Sequence, residues 1–251
     1  MGTKLAERTG RRSSSGARMT RIGAAVNARM SSQRLPGKVL RPLHGAPLLW
    51  HLFDRLAGTT GVDELILATS LDPSDDPLEA FAEQHGIACH RGPLDDVLTR
   101  LTEVADRFHL DKIVRLSGDS PLLDPALVES AVHLARINPV DIVTNVFPRS
   151  FPKGQSVEVL SRPALDRLSR GPLEPSDREH VTTALYRNPD SFSILGISRH
   201  PARAGLQLSV DTESDFTRVA AIMARLTDLH APLDQIIAAA DTIDGRDGLC
   251  V

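Results

Sequence analysis

Short apolar segments alternate with amphipathic helical segments from Arg21 onward, and this alternation is the strongest constraint on the fold. Strands are predicted at residues 22–26, 64–69, 87–90, 111–116, 141–145, 157–160, 192–197 and 206–210. Helices are predicted from about residue 47, over 76–85, 97–108 and 125–136, from about residue 176, and over 212–226. This order is typical of an α/β protein with a mostly parallel sheet and helices on both faces. Because ligands bind such sheets at the carboxyl ends of the strands, we expect the functional residues directly after the strands.

The composition indicates a globular protein that needs no covalent cross-links. The chain has 251 residues, of which 41% are hydrophobic, and a chain of this length can bury roughly 70% of its surface on folding. Its two cysteines, Cys89 and Cys250, exclude a four-cysteine zinc site and a disulfide scaffold. No apolar run approaches the roughly 18 residues of a membrane span. We therefore expect a cytoplasmic protein with no membrane partner.

The charge is nearly balanced overall but uneven along the chain. The 29 basic and 32 acidic residues give a net charge of −3, which argues against a general nucleic-acid-binding protein. Residues 1–21 carry six basic side chains against one acidic side chain, so the rest of the chain is acidic. The composition predicts a disordered basic tail over residues 1–20, and an arm that binds nucleic acid is the alternative.

The loop after the first strand is rich in cations. Residues 27–38 read NARMSSQRLPGK and carry Arg29, Arg34 and Lys38. Small residues and cations ahead of a helix suit a polyanion, because backbone N–H groups and the helix dipole add to the attraction. The loop lacks residues that a Walker A motif requires, and no GxGxxG follows the strand. A solvated basic loop is the alternative interpretation.

Two aspartates follow predicted strands that lie far apart in the sequence. Asp119 comes after the strand at 111–116, and Asp211 comes after the one at 206–210. Each has an ordinary structural explanation, because Asp119 suits a Gly-Asp turn and Asp211 or Thr212 suits the N-cap of the last predicted helix. Two carboxylates opposite a cationic loop nevertheless favour a Mg²⁺ site, since Mg²⁺ typically takes one or two carboxylates together with substrate phosphates.

Further polar residues lie on the same predicted edge. Thr69 and Ser70 end a strand and could hydrogen-bond a base or a ribose. Two consecutive aspartates, the second of which is Asp96, stand at a helix start, where one suits the N-cap and the other is free for a ligand.

The segment SDREHVT, residues 176–182, combines a helix signal with misplaced cations. Ser176 and Glu179 have the spacing of a capping box. Arg178 and His180 would lie in the first helical turn, where the dipole disfavours cations, so we expect an anion nearby. Two polar residues beside a predicted strand are assigned to the same pocket, namely Gln155 and Glu158.

Taken together, these motifs resemble those of the sugar-acid cytidylyltransferases, which include the acylneuraminate and 3-deoxy-manno-octulosonate enzymes. The resemblance is strongest to the group of spore-coat polysaccharide biosynthesis protein F, and it spans about residues 22–226. It rests on NARMSSQRLPGKV, ILATS, RGPLDDVLTR, RLSGDSPLLDP, GQSVEVL, SDREHVT and SVDTESD, which keep the family's order. Asn27, Ser31 and Ser120 depart from the usual Gln, Gly and Cys. Gln155 stands where Asp is frequent, which leaves the acceptor open.

The resemblance implies roles for the residues that match the family's motifs. It assigns catalysis to Arg29, Lys38, Asp119 and Asp211, with the two aspartates binding Mg²⁺. The residues it assigns to the nucleotide are Ala28, Arg29, Lys38, Thr69, Ser70, Asp96 and Asp119. The residues assigned to the acceptor are Gln155, Glu158, Arg178 and His180.

The same resemblance implies a Rossmann-like nucleotide-diphospho-sugar transferase fold and a homodimer. Residues 21–251 would form a single domain, in which 146–205 builds the acceptor pocket and the dimer. The implied reaction is the Mg²⁺-dependent transfer of CMP from CTP to a sugar acid or related acidic acceptor, with release of pyrophosphate. The alternatives are a nucleotidyltransferase that uses another nucleotide or a phosphonate acceptor, a glycosyltransferase on a similar fold, and a non-catalytic binding module.

Overall fold

The computed structural model describes residues 19–245. Most of the basic tail expected over residues 1–20 lies outside this range, as does Cys250, so the tail stays a prediction. Within the described range Cys89 is a free thiol. Partial burial raises the pKa of this thiol to about 11, which leaves it protonated and unreactive at neutral pH.

Seven strands form one mixed, mostly parallel sheet within residues 19–245, and a separate short hairpin lies beside it. In chain order the strands are β1 (Ile22–Asn27), β2 (Pro42–Leu43), β3 (Ala46–Pro47), β4 (Glu64–Ser70), β5 (Ala88–Gly92), β6 (Lys112–Ser117), β7 (Ile142–Thr144), β8 (Glu158–Ser161) and β9 (Ile194–Gly196). The sheet order is β5-β4-β1-β6-β8-β7-β9, and β2 pairs with β3 in the hairpin. β8 runs antiparallel to both of its neighbours, whereas the other pairs in the sheet are parallel. The prediction of a mostly parallel sheet is confirmed.

Helices cover both faces of this sheet. They are α1 (Leu48–Leu56), α2 (Asp76–His85), α3 (Val97–Arg107), α4 (Pro125–Ile137), α5 (Arg162–Arg170), α6 (Pro175–Glu179), α7 (Thr183–Arg187), α8 (Glu213–Met223) and α9 (Leu233–Ile243). Successive β1 residues point to opposite faces: Ala24 and Val26 join a core with α1, α2, α4, α8 and α9, whereas Ala25 joins one with α3, α5 and α7. No helix in the described part of the chain is long and apolar enough to cross a membrane.

The strand register brings distant loops to one edge of the sheet. Asn27, the last residue of β1, lies beside Ala68 of β4 on one side and Ser117 of β6 on the other. The three strands are parallel, so their carboxyl ends emerge together. The cationic loop after β1 and the Gly-Asp turn after β6 therefore lie side by side, although about ninety residues separate them in the sequence.

The prediction of a strand over residues 206–210 is wrong. Leu206, Leu208 and Val210 are buried, as in the predicted strand, and Ser209 between them is buried too. The segment has only an isolated bridge, between Lys153 and Gln207. Its amides bond to loops instead: the N–H of Leu208 donates to the carbonyl of Lys153 at 2.8 Å, and that of Val210 to the carbonyl of Asp119 at 2.9 Å. The apolar residues of the segment are therefore buried without joining the sheet.

Other differences concern the ends and the number of elements. The last predicted helix ends at Met223 rather than residue 226 and is followed by α9, which the sequence analysis did not predict. The helix predicted over 76–85 has these bounds in the structure, with Asp75 at its N-cap position. The loop after β1 ends in a 3₁₀ turn at Lys38–Leu40, which is followed by the first strand of the hairpin.

Gly154 generates a stability prediction, because it allows the 206–210 segment to pack closely. Its φ is +90°, and a β-carbon there would lie 2.6 Å from the carbonyl carbon of Leu208 and 2.6 Å from the amide nitrogen of Ser209. Gly154→Ala should lower the free energy of unfolding by about 3 kcal/mol, from backbone strain plus overpacking.

Gly45→Ala is the matched control. Gly45 has a φ of +88°, and a β-carbon there would have no other atom of the described residues within 4 Å. This control should lose only the strain energy, about 1 to 2 kcal/mol. Urea denaturation of both variants measures the difference. Equal losses at the two positions would contradict the close packing of the 206–210 segment.

Candidate active site

A cleft of about 570 Å³ opens at the carboxyl edge of β1 and β6. Five cationic side chains line it, namely Arg29, Arg34, Lys38, Arg100 and Arg115. Three carboxylates also line it, namely Asp119, Glu179 and Asp211. The excess of cations suits an anionic ligand, and the interspersed carboxylates give the cleft positions where a cation can also bind.

Lys38 is the central side chain of this cleft. It is buried, and its Nζ donates to the carbonyl oxygen of Val210 at 2.6 Å and to Asp211 Oδ1 at 2.9 Å. The same ammonium lies 3.3 Å from Asp119 Oδ2. One cation thus joins the loops that follow β1 and β6 to the segment before α8. Losing it would leave two carboxylates facing each other without compensation, which is strongly destabilising in a partly buried site.

Asp211 is not needed as a helix cap. A capping box formed by Thr212 and Asp215 satisfies the start of α8: the Thr212 N–H donates to Asp215 Oδ2 at 2.9 Å, and the Asp215 N–H donates to Thr212 Oγ1 at 3.3 Å. The carboxylate of Asp211 instead faces Lys38 and lies 3.1 Å from Arg34 Nη2. Its side chain is therefore directed to the cleft.

The donor set of the cleft fits a hard divalent cation that brings ligands of its own. Asp119 and Asp211 are 20% and 28% exposed, so their oxygens are accessible from the cleft. In the described residues no group of three or more His, Cys, Asp or Glu side chains could hold a metal ion. Two carboxylates without sulfur or imidazole ligands match Mg²⁺, whose remaining ligands are commonly phosphate oxygens and water.

The loop that carries Arg29 is held from beneath by Asp75. This fully buried carboxylate accepts the N–H of Met30 at 2.7 Å and also accepts the hydroxyl of Ser70. Ser70 and Thr69 are themselves fully buried and do not line the cleft. The hydroxyls predicted to reach a nucleoside therefore lie behind the loop, and Ser70 acts on it through Asp75.

The segment 174–180 brings two further side chains to the cleft. The capping interaction of α6 is made by Glu174 and Asp177, with the Glu174 N–H donating to Asp177 Oδ2 at 3.1 Å. The predicted capping box of Ser176 with Glu179 is thus wrong. Glu179 instead pairs with Arg29, at 2.9 Å between Oε1 and Nη2. His180 lines the cleft next to it and is exposed.

Arg178 and Asp96 pair with each other outside the cleft. Their Nη1 and Oδ2 atoms lie 2.8 Å apart, so a carboxylate of the chain itself is the anion beside Arg178. Asp96 also caps α3 by accepting the N–H of Thr99 at 2.9 Å. Although burial opposes it, these contacts with Thr99 and Arg178 hold the pKa of Asp96 below its usual range. The pair fastens α6 to the start of α3.

Gln155 and Glu158 are buried below the surface of the cleft. Gln155 accepts the N–H of Asp124 at 2.9 Å and donates to the carbonyl of Leu122 at 2.7 Å. Glu158 accepts from Arg115 Nη1 and from the hydroxyl of Tyr186, both at 2.6 Å. Because Arg115 lines the cleft, Glu158 acts on it through that arginine, whereas Gln155 supports the turn after β6.

The sequence analysis missed three charged residues of the cleft, namely Arg100, Arg115 and Glu179. Arg115 could have been recognised from the sequence, because it is a charged residue between the apolar residues of a predicted strand. Arg100 is 3% exposed, and burial lowers its pKa to about 10, which still leaves it charged at neutral pH. Its spacing from Val97 and Val104 places it beside the apolar face of α3, but an arginine there usually reaches solvent, so its burial becomes evident only from the packing.

Comparison with known proteins points to one family. A family model described as cytidylyltransferase matches residues 24–236. The chain is 32% identical to the spore coat polysaccharide biosynthesis protein SpsF of Bacillus subtilis (strain 168) over 207 residues, covering 78% of this chain and 84% of that protein. It is 32% identical to the 3-deoxy-manno-octulosonate cytidylyltransferase of Anaeromyxobacter sp. (strain Fw109-5) over 176 residues, covering 67% and 70%.

A solved structure extends the likeness to the fold. A cytidylyltransferase from Leptospira borgpetersenii superposes with a TM-score of 0.87 at 25% sequence identity. The match covers 90% of this chain and 96% of that one. The two proteins therefore share their fold over most of both chains.

The contact between Glu179 and Arg29 generates a binding prediction. Glu179→Gln should raise the affinity for inorganic triphosphate about two- to fivefold, because it removes a partly exposed carboxylate that competes for Arg29. Isothermal titration at low ionic strength measures this affinity. Glu64→Gln is the control, because Glu64 forms a pair of similar exposure with Arg21, at 3.1 Å and outside the cleft. Unchanged or weaker binding by Glu179→Gln would contradict the competition.

Proposed function

This chain belongs to the cytidylyltransferase family, and we propose that it transfers CMP from CTP to a sugar acid with release of pyrophosphate. As a member of this family it is a nucleotidyltransferase. The observation that carries the finer proposal is the position of Lys38 between Asp119 and Asp211, in a cleft that Arg29 and Arg34 also line. Such a site offers cations for a triphosphate and oxygen ligands for the cation that accompanies it.

The triphosphate is assigned to the cations of the loop after β1. Arg29 can bind two phosphate oxygens at once through its planar guanidinium, whereas Lys38 acts as a point charge. Lys38 is already oriented by Val210 and Asp211, so little ordering is required of it when the nucleotide binds. Arg34 is 65% exposed and would close over the phosphates from solvent. Ala28 lies at the end of β1 and faces the nucleoside in this proposal.

Asp119 and Asp211 would hold the Mg²⁺ that the proposed reaction uses. When bound, the ion neutralises charge on the phosphate oxygens. Both carboxylates are fixed before binding, since Lys38 contacts each of them and Ser120 Oγ donates to Asp119 at 3.1 Å. The support for this assignment is the oxygen-only donor set and the partial exposure described above.

The chemical step is an in-line displacement at the α-phosphorus. An acceptor oxygen forms the new bond to phosphorus, the bond to the bridging oxygen of the β-phosphate breaks, and pyrophosphate leaves while the acceptor releases its proton. Negative charge grows on the oxygens that Arg29 and Lys38 contact in this proposal. Positioning and electrostatic stabilisation by preoriented donors are expected to supply most of the rate enhancement.

The acceptor is assigned to the α6 side of the cleft. His180 lines the cleft there beside Glu179, and both can contact the hydroxyls or the acidic group of a sugar acid. Arg115 lines the same cleft and is held by Glu158. Gln155, Glu158 and Arg178 act in this proposal as supports for the acceptor pocket, because each bonds within the chain. The family resemblance also supports a homodimer built through residues 146–205.

Asp211→Asn tests the proposed site most sharply. With CTP, Mg²⁺ and a sugar-acid acceptor, the variant should release pyrophosphate at least about a hundredfold more slowly than the parent protein, a loss of roughly 3 kcal/mol of transition-state stabilisation. It should still melt cooperatively, because Asp211 is not the cap of α8. Asp234→Asn is the control, since Asp234 is 77% exposed and pairs with Arg199. A folded Asp211→Asn variant with a rate near that of the parent protein would contradict the assignment of Asp211 to the metal site.

The acceptor class is tested with the parent protein. Pyrophosphate release from CTP should require a sugar acid such as 3-deoxy-manno-octulosonate or an acylneuraminate, and it should be slower with an alkyl phosphonate of similar size. If only the phosphonate supports pyrophosphate release, the proposed nucleotidyl transfer holds and the acceptor is a phosphonate and not a sugar acid. No release with any acceptor, from a protein that binds CTP, would contradict the proposed reaction.

A further inference from the structure

We infer that Arg100 selects cytosine over uracil in the nucleotide that the cleft binds. This inference rests on the proposed use of a nucleoside triphosphate. It assigns a specificity-determining residue that neither the motifs nor the family resemblance singled out.

Arg100 is a buried cation that lines the cleft and has no carboxylate partner in the described residues. It is 3% exposed. Nη1 donates to the carbonyl oxygen of Pro93 at 2.9 Å, and Nη2 lies 3.4 Å from Asn27 Oδ1. Nε is buried without a hydrogen-bond partner within residues 19–245. Burying an ion without a counter-ion is costly, so a group with unused donors beside a cleft is suited to a ligand.

The charges around Arg100 also favour the binding of a ligand to it. Burial is the main cause of the lowered pKa of Arg100, and the charges of Arg29 and Arg115 lower it further, against Asp75 and Glu103, which raise it. Arg29 and Arg115 each have a carboxylate partner, Glu179 and Glu158, whereas Arg100 has none in the part of the chain that the structure describes. An acceptor atom of a ligand would give Arg100 the hydrogen bond that it lacks and would reduce the effect of the repulsion from Arg29 and Arg115.

The neighbours of Arg100 favour a base over a phosphate. The carbonyl oxygens of Pro93 and Leu94 lie 2.9 and 3.5 Å from its Nη1. A phosphate offers only acceptors and would be repelled by these oxygens, whereas an amino group can donate to them. Ala28 and Val97 line the cleft with apolar surface suited to a flat ring. By contrast, Arg34 and Lys38 both contact Asp211, where the triphosphate and its cation are assigned.

Cytosine has the pattern of groups that this position requires. Its O2 and N3 are adjacent acceptors, which a guanidinium can bind with two parallel N–H donors, and its exocyclic amine is a donor beside them. Uracil carries a hydrogen on N3 and a carbonyl oxygen in place of the amine. In the same position, the N3–H of uracil would face the N–H donors of the guanidinium. The carbonyl oxygen that replaces the amine would face the carbonyl oxygens of Pro93 and Leu94. A site built on hydrogen bonds rejects a ligand that leaves its polar groups unpaired.

The test compares CTP and UTP binding to the full chain in the presence of Mg²⁺, by isothermal titration. The parent protein should prefer CTP. Arg100→Met should weaken CTP binding by about ten- to a hundredfold, as expected for charge-assisted hydrogen bonds, and should change UTP binding by less than about threefold. The ratio of the CTP affinity to the UTP affinity should therefore fall towards one in this variant. Arg107→Met is the matched control, because Arg107 is exposed on the same helix, and it should keep the parent's ratio.

The outcomes separate this inference from the proposed function. If the parent protein binds neither nucleotide, the proposed function fails and the inference fails with it. If the parent prefers CTP but Arg100→Met weakens both nucleotides equally, Arg100 only holds the 93–94 turn and the inference is overturned. A parent that binds CTP and UTP equally overturns it as well, whatever its transfer activity. If Arg100→Met does not fold, Arg100→Lys decides, because it keeps the charge but loses the paired donors and should still lower the ratio.

Discussion

The ammonium group of Lys38 is the interaction on which the site depends. It lies between Asp119, Asp211 and the carbonyl of Val210, and these groups come from parts of the chain that meet only in the folded protein. The parallel register of β1 and β6 brings the loop of Lys38 beside Asp119, and the close packing of 206–210 against Gly154 places Val210 and Asp211 next to them. The fold therefore brings Lys38, Asp119 and Asp211 together, and their ion pairs in turn hold the loops at this edge of the sheet in place.

Much of the fold could be predicted because burial leaves a local pattern. Parallel strands covered on both faces appear in the sequence as apolar runs. A capping residue such as Asp124, which accepts the N–H of Ala126 at 3.0 Å, lies at a helix start. The segment 206–210 has a similar apolar pattern, but its amides bond to loops. Hydrogen-bond partners that are distant in sequence leave no local pattern, so this prediction was wrong.

The site was predictable where a residue's role depends on its position after a strand. Arg29, Lys38 and Asp119 follow strands and were expected at one edge, and the structure brings them into one cleft. Asp211 lines the same cleft, although the segment before it is not a strand of the sheet. Thr69 and Gln155 carry similar sequence signals but turn into the protein, where Gln155 satisfies buried backbone groups. Arg100 shows the reverse, since a helical arginine is expected at the surface and here is buried. The direction of a side chain depends on tertiary packing, which local patterns do not encode.

The most direct measurement is the thermal unfolding of the parent protein with CTP, with and without Mg²⁺, because it needs no knowledge of the acceptor. A nucleotide at a hundred times its dissociation constant adds about 2.7 kcal/mol of stability, or roughly 5–10 °C in Tm for a chain of this size. The account predicts a shift of this order with CTP that grows when Mg²⁺ is added and is smaller with UTP, GTP and ATP. A cooperative transition that none of these nucleotides moves would contradict the account.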